Sequence, residues 1–235
     1  MCVNHLVLLP GLYGTGRMFE PLLKLLPPDF TASVVAYPAT QKLSYQQLMP
    51  YVLQAYPTTA PFVLVAESFS GPLAVALAAT KPKNLQALVL CASFVSNPTP
   101  PLMRWIQPFN IPFWFRFKPS PLFVRHVAAM QDCDPAVLER LTKSTISVPP
   151  EVLSFRVAQA LNVDVREQLR NCQLPILYLR GKRDLLIRLR NWREIARLKP
   201  EVQYVEIDAS HFVLQHKPTD SLAAIKAFLA ANFAP

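Results

Sequence analysis

Glycine and charge are both scarce in this chain: there are 5 glycines in 235 residues, and Asp, Glu, Lys and Arg together make up only 17%. So little glycine excludes collagen-like and low-complexity architectures. With 51% hydrophobic residues, a disordered chain is excluded as well, because ample apolar surface offsets the entropy of ordering. No apolar run approaches the roughly 20 residues that a membrane helix requires, so no transmembrane segment is expected. The four cysteines, Cys2, Cys91, Cys133 and Cys172, are widely spaced, with no CxxC and no Cys/His pair. Neither a zinc site nor a small disulfide scaffold fits that spacing, and reduced, mostly buried thiols are expected. The start, MCVNHLVLLPG, lacks a basic region and a small-residue cleavage site. It reads as a strand and not as a signal peptide, so a cytoplasmic location is expected.

What the chain has is length and apolar rhythm. At 235 residues it suits one large domain, or a domain with an insertion, around a sizeable core. Short apolar runs near His5 to Leu9, Ser33 to Ala36, Phe62 to Ala66, Leu85 to Cys91, Ile176 to Leu179 and Val202 to Ile207 read as strands buried on both faces. Helix-length segments lie between them: Met18 to Leu26, Ser44 to Tyr56, Phe69 to Thr80, Leu186 to Leu198 and Thr219 to Phe233. Such alternation predicts a mainly parallel sheet with helices on both faces. The rhythm breaks from Val95 to about Cys172, which is first dense in proline and aromatics and then helical in its apolar spacing. That stretch reads as an insertion after the fourth strand.

Four motifs carry chemistry. The segment FVLVAESFSGPLAVALAA puts Ser68 between a buried strand and a helix. A serine at such a sharp turn projects its Oγ above the sheet edge, beside the positive end of the helix. Small residues are needed two positions to either side; here they are Ala66 and Ser70, with Gly71 next, in place of the glycines of GxSxG. On this turn alone, Ser68 or Ser70 as a plain helix N-cap is an equal reading. The second motif is LLPGLYGTGRMF, where Gly11, Gly14 and Gly16 cluster after the first strand. Such a loop can aim amide N–H groups at a forming oxyanion. A dinucleotide turn fits poorly, since the spacing is GxxGxG and no acidic residue ends the next strand, TASVVAYP. Third, ILYLRGKRDLLI ends a late strand in a turn holding Asp184, where a solvated Asp beside Lys182 and Arg183 is the alternative. Fourth, VEIDASHFVLQHKP puts His211 in a loop after the last strand, whereas His5 begins a strand, His126 lies in the insertion and His216 directly precedes Lys-Pro.

With an oxyanion loop, Ser, Asp and His in that order, each at the C-terminal end of its own strand, the chain resembles the α/β-hydrolase superfamily, in its lidded single-domain esterase-like branch. The resemblance covers nearly the whole chain outside the insertion and aligns the first strand here with the family's third. It implies an α/β-hydrolase fold with a sheet of about six strands, a core of residues 1–94 and 173–235, and a helical lid at 95–172. Carried over residue by residue, it implies Ser68 as nucleophile, His211 as general base and then acid, and Asp184 as the residue orienting His211. It also implies an oxyanion hole from the backbone N–H groups of Leu12 and Phe69. Among rivals, Ser70 would push the turn into the helix, and Asp208, three residues before His211, is expected to point away from it. Glu67 stands before the serine, near the site but outside the triad. After the strand ending at Cys91, where some relatives carry the acid, stand Ala92, Ser93 and Phe94, leaving only Asp132 or Asp134 to fold back from the lid.

These residues imply acyl transfer to water, with a carboxylic ester of a small to medium apolar acyl group as the expected substrate. Thioester, lactone, amide or carbon–carbon bond cleavage would use the same parts. No cofactor and no metal is expected. In the lid, Trp105, Phe113 and Trp114 are the candidate substrate-binding residues, and the alternative is that such rings only fasten lid to core. Arg180, Lys182, Arg183, Arg188, Arg190, Arg193 and Arg197 cluster after the fifth strand, as a solvated face or as an attraction for an acidic partner, within a chain of net charge +9. No nucleic-acid partner is expected. A non-catalytic receptor for a hydrophobic ligand is the alternative of another class. Two further expectations are a mild effect of Ser70→Ala and a His211 pKa near the unperturbed value of about 6.5.

Overall fold

Strand β3 (Phe62–Glu67) is buried at all six of its residues, which is what a parallel strand covered on both faces requires. Phe62, Leu64 and Ala66 enter one core cluster and Val63 and Val65 the other, so the period-2 alternation divides a uniformly apolar run between two layers. The structure is a computed structural model and describes residues 3–99 and 134–233, with 122, 126 and 129. Beside β3 lie β1 (His5–Leu9), β2 (Thr31–Val34), β4 (Leu85–Cys91), β5 (Ile176–Gly181) and β6 (Gln203–Ile207). They form one sheet of six strands in the order β2-β1-β3-β4-β5-β6, and every pairing is parallel.

On one face, α2 (Tyr45–Leu53), α3 (Gly71–Ala79) and α7 (Leu189–Leu198) supply Leu48, Val52, Leu73, Leu77 and Ile195 to the first cluster. On the other, α1 (Glu20–Leu23), α8 (Val213–His216) and α9 (Pro218–Phe233) supply Leu22, Val213, Ile225 and Phe228 to the second. Each such side chain, fully buried, contributes roughly 1.5–3 kcal/mol relative to exposure. Between β4 and β5 come α4 (Pro135–Ile146), α5 (Pro150–Asn162) and α6 (Arg166–Asn171). The chain enters and leaves this excursion side by side: Ser96 and Asp164 form an antiparallel bridge, and Val165 N–H donates to Val95 C=O at 2.8 Å. Leu169 of α6 returns to the first core cluster, next to α3. Among the described residues, no helix is long and apolar enough to cross a membrane.

Two departures from the expected bounds have a local cause. The β2 ladder begins at Thr31, not at Ser33, because His5 of β1 bonds Thr31 Oγ1 at 2.7 Å and Ser33 Oγ at 3.0 Å, so polar pairs extend an edge strand that apolar counting starts too late. The helix expected from Met18 to Leu26 is a 3-10 turn at Gly16–Phe19 followed by the short α1. Pro21, lacking an N–H, starts a new helix instead of continuing the first. Strand order fixes where a ligand could enter the sheet edge. From β1 the chain turns one way to β2 and then crosses to β3 on the other side, so the topological switch point, where open α/β sheets carry their ligand sites, falls at the C-terminal ends of β1 and β3.

Candidate active site

Ser68 follows β3 directly and has a φ of 48°, a left-handed conformation costing a non-glycine residue roughly 1–3 kcal/mol. A plain N-cap has β-region dihedrals, so this is a different turn. A 3-10 turn at Ser68–Ser70 precedes α3, which makes the helix begin later than the expected Phe69. Gly71, at the start of α3, is closely approached: a Cβ there would lie 1.8 Å from Ser93 Oγ.

His211, in the loop after β6, has Nε2 3.0 Å from Ser68 Oγ and Nδ1 2.9 Å from Asp184 Oδ2. A carboxylate only accepts, so Nδ1 carries the proton and Nε2 of the neutral ring accepts from the serine hydroxyl. Asp184 Oδ1 accepts the N–H groups of Leu186 and Ile187 at 2.8 and 2.9 Å, and the side chains of His211 and Asp184 are 7% and 0% exposed. Asp208 instead pairs with Arg183 at 2.8 Å on the surface. Asp134 caps α4 by accepting from Val137 N–H at 2.8 Å. Asp132 lies outside the described residues, as do Trp105, Phe113 and Trp114.

The loop after β1 lies over Ser68. A Cβ built on Gly11 would be 3.8 Å from that of Ser68, so the neighbouring Leu12 sits at the same rim. Phe69 lies in the 3-10 turn, where the first N–H groups lack an intrahelical acceptor. Its carbonyl accepts from Tyr45 OH at 2.9 Å and its ring stacks on Tyr45 at 4.7 Å. Helices α4 and α5 pack close by: Met18, Val137, Leu141 and Phe212 form one cluster with Tyr13, while Val148, Val152 and Leu153 form another with Leu12 and Tyr13.

Two carboxylates face the imidazole. Glu67 is 4% exposed and accepts from Gln215 Nε2 at 3.1 Å and from Gly11 N–H. Burial raises its pKa, against the opposing influence of His211 and these hydrogen bonds. For His211, burial disfavours the charged ring, but the charge and hydrogen bond of Asp184, with the charge of Glu67, outweigh it and hold the pKa above the ordinary 6.5. The expectation of an unperturbed value is thereby corrected. Ser70 is also more engaged than a spectator. It is wholly buried, lies 2.5 Å from Tyr37 OH, and donates to Pro10 C=O. Sequence reasoning passed over Arg156, which is 1% exposed and donates to Leu12 C=O at 3.0 Å. The available signal was a charged residue on the apolar stripe of Val152, Leu153 and Val157. It also passed over the role of Ser93, whose hydroxyl donates to Ser68 C=O at 2.6 Å.

A profile of the alpha/beta hydrolase family matches residues 6–225. No curated protein sequence matches significantly. Among solved structures, the chain is similar to the enol-lactonase from Burkholderia xenovorans LB400, with a TM-score of 0.79 at 20% identity, covering 98% of this chain and 92% of that one. It is similar too to a thermophilic esterase from Thermogutta terrifontis, with a TM-score of 0.76 at 20% identity, covering 98% and 90%. A hydrolase from Pseudomonas aeruginosa PA01 gives 0.78 at 19% identity, covering 97% and 90%.

Proposed function

The chain belongs to the alpha/beta hydrolase family, and from that premise we propose that it is a serine hydrolase cleaving carboxylic esters of small to medium apolar acyl groups. The observation carrying this reading is the Ser68 Oγ, on a left-handed turn, 3.0 Å from His211 Nε2, with Asp184 buried behind the ring at 2.9 Å. In this mechanism Ser68 Oγ attacks the ester carbonyl carbon while its proton passes to His211 Nε2. The carbonyl oxygen becomes an oxyanion and accepts from the N–H groups of Leu12 and Phe69. Asp184 stabilises the imidazolium and keeps the proton on Nδ1. As the tetrahedral species collapses, the leaving alkoxide takes the Nε2 proton and an acyl-serine remains. Water then gives a proton to His211 Nε2 and attacks the acyl carbon, and as the second tetrahedral species collapses that proton returns to Ser68 Oγ, releasing the acid and the free serine.

A lactone is a cyclic ester, so the same groups would open one; the esterase and the enol-lactonase among the structural neighbours are both compatible with this chemistry. The reading includes a cap at residues 95–172 over the core of 1–94 and 173–235. Trp105, Phe113 and Trp114 are the residues proposed to bind the acyl group. Hydrolysis of p-nitrophenyl esters of graded chain length, by the wild type and by Ser68→Ala, is the test. Turnover by the wild type and its loss in the variant, with an unchanged circular dichroism spectrum, is the expected result. Equal turnover by the two proteins would refute the assignment.

A further inference from the structure

A trans peptide points its C=O and N–H in opposite directions, so whatever anchors the carbonyl aims the amide. The Leu12 N–H shares its peptide with the Gly11 C=O, which accepts from Gly14 N–H at 2.9 Å. The Phe69 N–H shares its peptide with the Ser68 C=O, which accepts from the Ser93 hydroxyl at 2.6 Å. Tyr178 OH in turn donates to Ser93 C=O at 2.7 Å, fixing the residue that does the anchoring. The peptides flanking Gly11–Leu12 are gripped as well. Ser70 Oγ donates to the Pro10 C=O, and Glu67 accepts from the N–H of that same peptide, on Gly11. On the far side, Arg156 Nη1 holds the Leu12 C=O at 3.0 Å.

Arg156 comes from α5, within the excursion between β4 and β5. Its Nη2 donates to Pro38 C=O at 2.9 Å and its guanidinium lies 5.8 Å from the centre of the Tyr37 ring. Burial lowers its pKa to about 10, which leaves it charged at neutral pH. Gly14 makes room for it, since a Cβ there would lie 2.6 Å from Nη1. Tyr37 also reaches Ser70 at 2.5 Å, so one connected buried network runs from α5 through the loop after β1 to the Ser68 turn. Burying a cation is costly unless its donors are matched. Here two of them are matched to backbone carbonyls, one of them on the loop that carries an oxyanion donor.

We propose that Ser70, Ser93 and Arg156 are positioning residues that aim the Leu12 and Phe69 N–H groups at the oxyanion, and that Arg156 ties the reactivity of Ser68 to the seating of α5. This inference rests on the serine hydrolase reading above. It assigns Ser70 a part in turnover, against the mild effect expected from sequence. Displacing a preorganised donor by even about an ångström lowers the rate by up to roughly 10²-fold, and losing one outright by roughly 10²–10³-fold. Anchors that aim donors without supplying them should therefore cost less.

The test uses the full chain and the variants Ser70→Ala, Ser93→Ala, Arg156→Met and Arg156→Lys. Steady-state hydrolysis of p-nitrophenyl butyrate, inhibition by butylboronic acid and thermal melting are measured on each. Butylboronic acid adds to the serine as a tetrahedral anion, so its affinity reads the oxyanion hole. The expected result is a kcat lowered about 10- to 100-fold, a KM changed by less than about threefold, and a boronate affinity lowered in step with kcat. Arg156→Lys should recover part of the Arg156→Met loss. The two serine variants each remove a single oxygen and keep the question open to refutation if Arg156→Met does not fold. Unchanged kcat and boronate affinity with only a lowered melting temperature would overturn the inference, because that is how ordinary buried polar groups behave. Retained hydrolysis in Ser68→Ala overturns the serine hydrolase reading instead, and a wild type inert to both ester and boronate overturns both.

Discussion

Ser68 and His211 lie 143 residues apart in sequence, yet their side chains meet at 3.0 Å, and on that contact the pH response depends. In the proposed mechanism turnover requires the neutral ring, and against the effect of burial the charges of Asp184 and Glu67 hold its pKa above 6.5. The sign follows: kcat/KM rises with pH through an apparent pKa above 6.5, and a pH–rate profile checks it. Glu67→Gln removes one of the two facing charges and should move that limb to lower pH; an unmoved limb would show that Glu67 does not act on the ring. Asp184→Asn should lower kcat by roughly 10⁴-fold by favouring the wrong tautomer, whereas Asp208→Asn, on a surface pair with Arg183, should change it little. The serine, histidine and aspartate candidates were legible because each follows an apolar strand, and such ends share one edge of a parallel sheet. Ser70, Ser93 and Arg156 were not legible as anchors. Their partners are backbone carbonyls of distant loops, and a carbonyl leaves no mark in a residue pattern.

At the scale of elements, α4 and α5 join the core through small apolar clusters beside the loop after β1. Leu153, 1% exposed, packs with Val148 and Val152 next to Leu12 and Tyr13. Leu153→Ala should cost about 2–5 kcal/mol, read as a lowered denaturation midpoint. Helix α2 carries a capping box in which Ser44 and Gln47 each satisfy the other's backbone N–H. Ser44→Ala should cost about 1 kcal/mol in the same measurement. If the aromatic stretch of the excursion forms an acyl pocket, Phe113→Ala and Trp114→Ala should flatten the preference for longer acyl chains, since each buried CH₂ contributes about 0.8 kcal/mol. An unchanged preference with a lowered melting temperature would contradict that reading. Helix and strand types were legible from periodicity, but boundaries moved where a local bond outweighed it. His5 drew Thr31 and Ser33 into the ladder, and Pro21 divided the first helical segment.

At the scale of the molecule, two apolar layers clamp a six-stranded parallel sheet, and its topological switch point lies where the loop after β1 and Ser68 meet. The alternation of apolar runs already implied this architecture, while the order of strands came from the structure. The central claim is that Ser68 is the nucleophile of this site. Treatment of the full chain with a fluorophosphonate, followed by intact-mass measurement and peptide mapping, tests it most directly. The predicted result is one adduct per chain, on Ser68, formed faster as pH rises through the His211 pKa and absent in Ser68→Ala. An adduct on Ser70 or another residue, or no adduct at all in a chain that binds a hydrophobic ligand, would contradict it.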